Sequence, residues 1–203
     1  MILFFDTETT GLPIFKAPSS DTRQPHIVQF AAIVTDNNLK EKSSINVICS
    51  PDGWEITKES SDIHGISHDD ALKHGISEKS ICDIYLNLIS KSDLVVAHNI
   101  SFDLRVMRIA MIRTKIISED DLKNMEKSTS TYCTMESSSP IVNLPPTDRM
   151  ISYGITKPKS PKLSEAIKFF FGEELDGAHN ALVDVRACAR LYTRLTQEEG
   201  NAS

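Results

Sequence analysis

The chain has 203 residues, 40% apolar and 25% charged, an ordinary balance for one soluble globular domain that buries most of its apolar surface. No apolar run approaches the roughly 20 residues that span a bilayer, and the opening MILFF lacks the basic flank and length of a secretory signal. A net charge of −6 argues against a protein that coats long stretches of nucleic acid, but not against one that grips only a strand end.

In chain order, residues 1–5 form a continuous apolar run and are predicted as a buried strand. Residues 27–35 (IVQFAAIVT) and 44–49 (SINVIC) are two more strands, with a turn at Asn37-Asn38 between them. Ser67 or His68 opens a helix over DDALK. Residues 77–89 form another, with Ile81, Ile84, Tyr85 and Leu88 on one face. The short run 94–97 (LVVA) is a strand feeding straight into a helix from about 102 to 112. Residues 137–161, rich in Ser and Pro, read as a long surface loop. Helices over 163–171 and about 181–197 finish the chain. Early strands followed by strand–helix alternation indicate an α/β protein with helices packed on a mixed sheet. With no repeat or linker, residues 1–203 read as one domain. Cys49, Cys82, Cys133 and Cys188 form no C-x-x-C pair, so they are expected as reduced core thiols of a cytoplasmic protein.

Acidic residues carry the functional signal. Asp6 and Glu8 follow the first apolar run at i, i+2, so an extended chain points both carboxylates to the same face. Two adjacent anions repel unless a cation lies between them, and an all-oxygen site suits magnesium or manganese. In isolation, a pair of solvated acids at a turn is the stronger reading of this spacing. Asp103 falls in the first turn of its helix, where the macrodipole alone favours an acid. Asp184 is harder to dismiss. It shares the stripe of Cys188, Leu191 and Leu195 on the last helix, while Arg186, Arg190 and Arg194 follow another. Burying its carboxylate without a partner would cost several kcal/mol, so Asp184 must meet a cation, a donor cluster or a metal. His179 precedes that helix, with Asn180 a plausible N-cap; its position alone reads as a solvated loop residue, while beside a metal site its imidazole suits proton transfer near neutral pH.

Taken in order, Asp6-x-Glu8, His98-Asn99-x-x-x-Asp103 and His179-x-x-x-x-Asp184 resemble the three motifs of the DEDDh exonuclease superfamily. That superfamily includes the proofreading epsilon subunit of bacterial DNA polymerase III and ribonuclease T. The segments FDTETTGLP, HIVQFAAIV, DIHGIS, VVAHNISFDLRVM and PKLSEA…GAHNALVDVRACARLY extend the resemblance over nearly the whole chain. Asn180 stands where the family commonly has an Asp. The resemblance implies a ribonuclease H-like fold, a mixed five-stranded sheet flanked by helices. It also implies a 3′–5′ exonuclease releasing nucleoside 5′-monophosphates with two magnesium or manganese ions. Asp6, Glu8 and Asp184 would hold metal directly, Asp6 would bridge, Asp103 would act through water, and His179 would be the base. Activity is then expected to rise with pH through roughly 6–7, the range of an unperturbed histidine. Thr7, Thr9, Thr10, Leu12, Asn99 and Phe102 would contact the terminal nucleotide, with Leu12 a wedge and Phe102 a stacking surface. His64 reads as structural. Lys157, Lys159 and Lys162 read either as phosphate contacts or as a solvated loop.

The expected partner is single-stranded nucleic acid or a 3′ end, with DNA favoured over RNA although nothing in the sequence reads a 2′-hydroxyl. A proofreading subunit bound to a DNA polymerase is the rival reading. The six residues after Gln197, against the longer tail expected of such subunits, favour a free-standing enzyme. An exoribonuclease is also compatible with these residues. A non-catalytic nucleic-acid-binding module is disfavoured, because all four acids and His179 are intact. No membrane association is expected.

Overall fold

The computed structural model describes residues 1–201, with side chains described through residue 197. At its centre β1 (Ile2–Thr9) is apolar on both faces because both faces are covered. Leu3 and Phe5 pack with Phe30, Val95 and the buried side of α3 (Glu78–Ile89) and α4 (Ile100–Arg113). Ile2 and Phe4 point the other way, against Ala31, Ile33, Val96 and α9 (Ala181–Asn201). This alternation, the period of two of any strand, later decides which carboxylate faces which helix.

The antiparallel strand β2 (Ile27–Thr35) is buried along its length between β1 and the largely exposed edge strand β3 (Glu41–Ile48). On the other side β4 (Leu94–Ala97) and the short β5 (Thr131–Cys133) run parallel to β1. The order β3-β2-β1-β4-β5, covered by helices, is the mixed five-stranded ribonuclease H-like sheet expected from the sequence.

The strands 27–35 and 94–97 and the helix 163–171, here α8 (Leu163–Phe171), coincide with their predicted spans. On α3 the buried residues are Ile81, Cys82, Tyr85 and Ile89, so the face is turned slightly from the predicted one. No clear sequence signal marks α1 (Lys58–His64), α5 (Glu119–Ser128) or β5. Of these, α5 buries only Leu122, which leaves little periodicity to read. Ser67 caps α2 (His68–His74) by accepting from the Asp70 N–H at 3.0 Å.

The predicted loop over 137–161 needs correction. It holds most of α6 (Thr134–Val142) and all of α7 (Asp148–Ser152), and the Lys159 N–H donates to the Leu144 carbonyl at 3.1 Å across its base. Two of the three buried residues of α6 are the small hydroxyl residues Thr134 and Ser138, so the helix shows no apolar stripe. The four cysteines are unpaired, and Cys49, Cys82 and Cys188 are buried, as expected of core thiols. Among the described residues no helix is long and apolar enough to cross a membrane.

Candidate active site

The even residues of β1 face α9, and this brings Asp6 and Glu8 toward Asp184. The odd residue between them, Thr7, faces α4 and meets Asp103. Its amide N–H donates to the Asp103 carboxylate at 3.0 Å and its hydroxyl donates to the same oxygen at 2.8 Å. Both Thr7 donors expected to face a nucleotide are thus engaged by Asp103. Thr7 is 5% exposed and holds Asp103, itself 2% exposed.

On α9, the carboxylate of Asp184 accepts the His179 backbone N–H at 3.0 Å. His179 adopts a left-handed backbone with φ 67°, which turns the chain into the helix. Asn180 caps α9 as expected, accepting the Leu182 N–H at 3.2 Å. Glu8, His179 and Asp184 each present a ligand atom within 4.8 Å of the other two. The family resemblance implied Asp6 in that direct group and His179 outside it.

Electrostatics ties all four acids together. Asp6 is held well above the usual carboxylate range by burial, then by the negative charges of Asp103, Asp184 and Glu8. Burial, with Asp184 and Asp103 adding repulsion, pushes Glu8 up to about 8. Burial also raises Asp103, to about 7, against the lowering effect of the two Thr7 donors. Asp184 is raised by burial, opposed by the His179 amide and imidazole. Four mutually repelling carboxylates, with no basic side chain among the described residues bonded to them, call for a cation. The second Asp184 oxygen is buried with no hydrogen-bond partner, as a metal ligand would be. Carboxylate oxygens with one imidazole fit a divalent ion.

Gln29, passed over in the sequence, and His64 both bear on the site. Gln29 lies opposite Glu8 in the β1–β2 register. Its side-chain oxygen accepts the Ala181 N–H at 3.0 Å, and its amide donates to Asn46 at 2.9 Å, so it ties the start of α9 to the sheet. The signal was available, since Gln29 is a polar residue inside an apolar run. His64, read as structural, is 7% exposed and accepts the Ile66 N–H at Nδ1, which leaves the proton on Nε2. That Nε2 is buried without a partner, and burial together with the charge of His179 lowers the His64 pKa.

The other expected contacts have varied surroundings. Leu12 is 79% exposed, whereas Phe102 is partly buried against the core. Thr9 donates to the Gly11 carbonyl, and the Thr10 hydroxyl accepts the His26 N–H, so both shape the turn out of β1. Asn99 begins α4 in a left-handed conformation with φ 66° and makes no side-chain cap. His98 sits apart from the acids. Its ring bonds Thr134 and the Pro161 carbonyl at 3.0 Å each, and burial lowers its pKa to about 4. Lys159 pairs with Glu165 at 2.5 Å, while Lys157 and Lys162 are exposed.

A family model described as an exonuclease, RNase T, matches residues 3–192. The chain belongs to the RNase T exonuclease family. No curated protein sequence matches it. Solved structures similar to this RNase T-family chain include Escherichia coli exonuclease I in a zinc-bound complex with single-stranded DNA. That match has a TM-score of 0.74 at 20% identity and covers 98% of this chain and 41% of the other. The same enzyme with a dA16 oligonucleotide matches with a TM-score of 0.72 at 22% identity, over 97% and 40% of the two chains. Exonuclease I of Methylocaldum szegediense matches at 25% identity with a TM-score of 0.68, over 97% and 40%. The RNase T-family chain thus spans about two-fifths of the length of these structures.

Proposed function

We propose that this exonuclease domain hydrolyses the terminal phosphodiester at the 3′ end of single-stranded DNA and releases nucleoside 5′-monophosphates. The observation that carries the reading is the convergence of Asp6 and Glu8 from β1, Asp103 from α4 and Asp184 from α9 beside His179. DNA is favoured because the similar solved enzymes are described in complex with single-stranded oligodeoxynucleotides.

Asp6, Glu8 and Asp184 would hold the divalent ions, magnesium or manganese, with Asp103 in support. When bound, such ions lower the pKa of a water and neutralise charge on the scissile phosphate. Thr7 keeps Asp103 oriented and favours its ionised form. The Asp184–amide bond fixes the His179 backbone, so that its imidazole can accept the proton of the attacking water. The water oxygen bonds to phosphorus as the bond to the 3′ oxygen of the preceding nucleotide breaks, and that oxygen stays on the shortened strand and takes a proton from solvent. The unpaired cysteines fit action in a reducing compartment such as the cytoplasm.

The test is a time course on 5′-labelled single-stranded DNA, duplex DNA and RNA, with magnesium, manganese or chelator. Single-stranded DNA should shorten stepwise from its 3′ end, only with metal. Asp184→Asn should lower kcat/KM by at least about a thousandfold, the several kcal/mol expected of a metal ligand, while leaving the melting temperature of the metal-free protein intact. Digestion by that variant at the wild-type rate rules out the assigned site.

A further inference from the structure

The loop from β1 to β2 carries a feature that the acidic site does not use. Leu12, Ile14 and Phe15 are exposed, Phe15 at 66%, around the buried Pro13, and the exposed Lys16 follows. Exposed apolar side chains on a mobile loop carry little meaning, but this loop is held. Gln24, 2% exposed, accepts the Ile14 N–H at 2.9 Å and donates to the Ile14 and Pro18 carbonyls at 3.1 and 3.0 Å. Arg105, two residues after Asp103 on α4, donates to the Ala17 carbonyl at 2.7 Å. Arg113, at the end of the same helix, donates to the Gln24 and Pro25 carbonyls. The loop leaves directly from β1 and is fastened to α4, the helix that supplies Asp103 to the site.

We infer that Phe15 is a stacking platform for a base upstream of the terminal nucleotide, with Lys16 beside it for the adjoining phosphate. This rests on the nuclease reading above and deepens it. The physical reason is charge. At −6 overall, and with four acids in the site, the protein lacks the basic footprint that usually supplies affinity for a phosphate chain. A strand brought to this site needs a grip that does not depend on net charge, and stacking on an aromatic face supplies it without regard to sequence. The ring is presented by a fastened loop, so little ordering cost opposes binding.

The experiment compares steady-state kinetics on a 12-nucleotide single-stranded DNA and on the p-nitrophenyl ester of thymidine 5′-monophosphate, which has no upstream base. Stacking is worth about 1–3 kcal/mol per base, so Phe15→Ala should raise KM for the 12-mer about 5- to 150-fold, with a smaller effect on kcat. The penalty on the ester should be clearly smaller, and Phe15→Tyr should restore the 12-mer KM. An equal penalty on both substrates, or none on the 12-mer, overturns the inference. A wild-type protein that digests neither substrate overturns the nuclease reading itself, and this inference with it.

Discussion

Thr7→Val tests how the sheet governs the site without touching any carboxylate. Valine keeps the branched shape and the backbone N–H, so Asp103 retains its 3.0 Å amide bond and loses only the 2.8 Å hydroxyl bond. A hydrogen bond to an ionised acceptor contributes about 1.5–3 kcal/mol. The loss falls on the ionised form of Asp103, the form a divalent ion requires. Manganese affinity should therefore drop about 10- to 150-fold, in line with the 10- to 100-fold typical when support of a metal site is removed. The metal-free fold should suffer less, because Asp103 can stay protonated there; its pKa is already raised to about 7. The assay is isothermal titration with manganese at pH 8, repeated on Thr7→Ser, which keeps the hydroxyl and should bind nearly as wild type. If Thr7→Val binds manganese with wild-type affinity, Asp103 does not depend on this contact and the reasoning fails.

Two further outcomes follow from the same geometry. The carboxyls of Glu8 and Asp103 are raised to about 8 and about 7, so between roughly pH 4 and 8 the folded state binds more protons than the unfolded state. The stability they contribute is present at low pH and lost as pH rises through that window; melting in chelator should accordingly fall from pH 5 to pH 8. Manganese at one fixed concentration, about 100 times its dissociation constant at pH 8, should restore about 2.7 kcal/mol there, roughly 5–10 °C, and less at pH 5, where protonated carboxyls weaken binding; equal shifts at both pH values count against a shared metal site. Gln29→Met preserves volume but strips the buried Ala181 N–H of its acceptor, at a cost of about 1–3 kcal/mol measured by chemical denaturation. Because Asp184 rides on that helix, manganese affinity should fall as well, and a variant unchanged in both would deny Gln29 its anchoring part.

Much of this protein is legible along the chain. Apolar runs marked β1, β2 and β4 because these strands are buried on both faces, and an acid on the apolar stripe of α9 marked Asp184. The i, i+2 spacing of Asp6 and Glu8 is a local property of a strand, and the ordered motifs pointed to the exonuclease family whose model matches residues 3–192. Helix α6 escaped notice because burial there falls on Thr134 and Ser138, whose small side chains pack closely without any apolar signature. Which groups meet across the sheet was beyond local pattern. That Thr7 bonds Asp103, 96 positions away, follows only from the packing of β1 against α4. Gln29 and Ala181 are joined across 152 positions, and the β1–β2 loop is fastened by Arg105 and Arg113 from a helix some 80 to 90 residues away. Side-chain period and apolar content are set by neighbours in sequence, so they can be read there. Hydrogen-bond partners and shared charge depend on distances that exist only once β1, α4 and α9 have packed together.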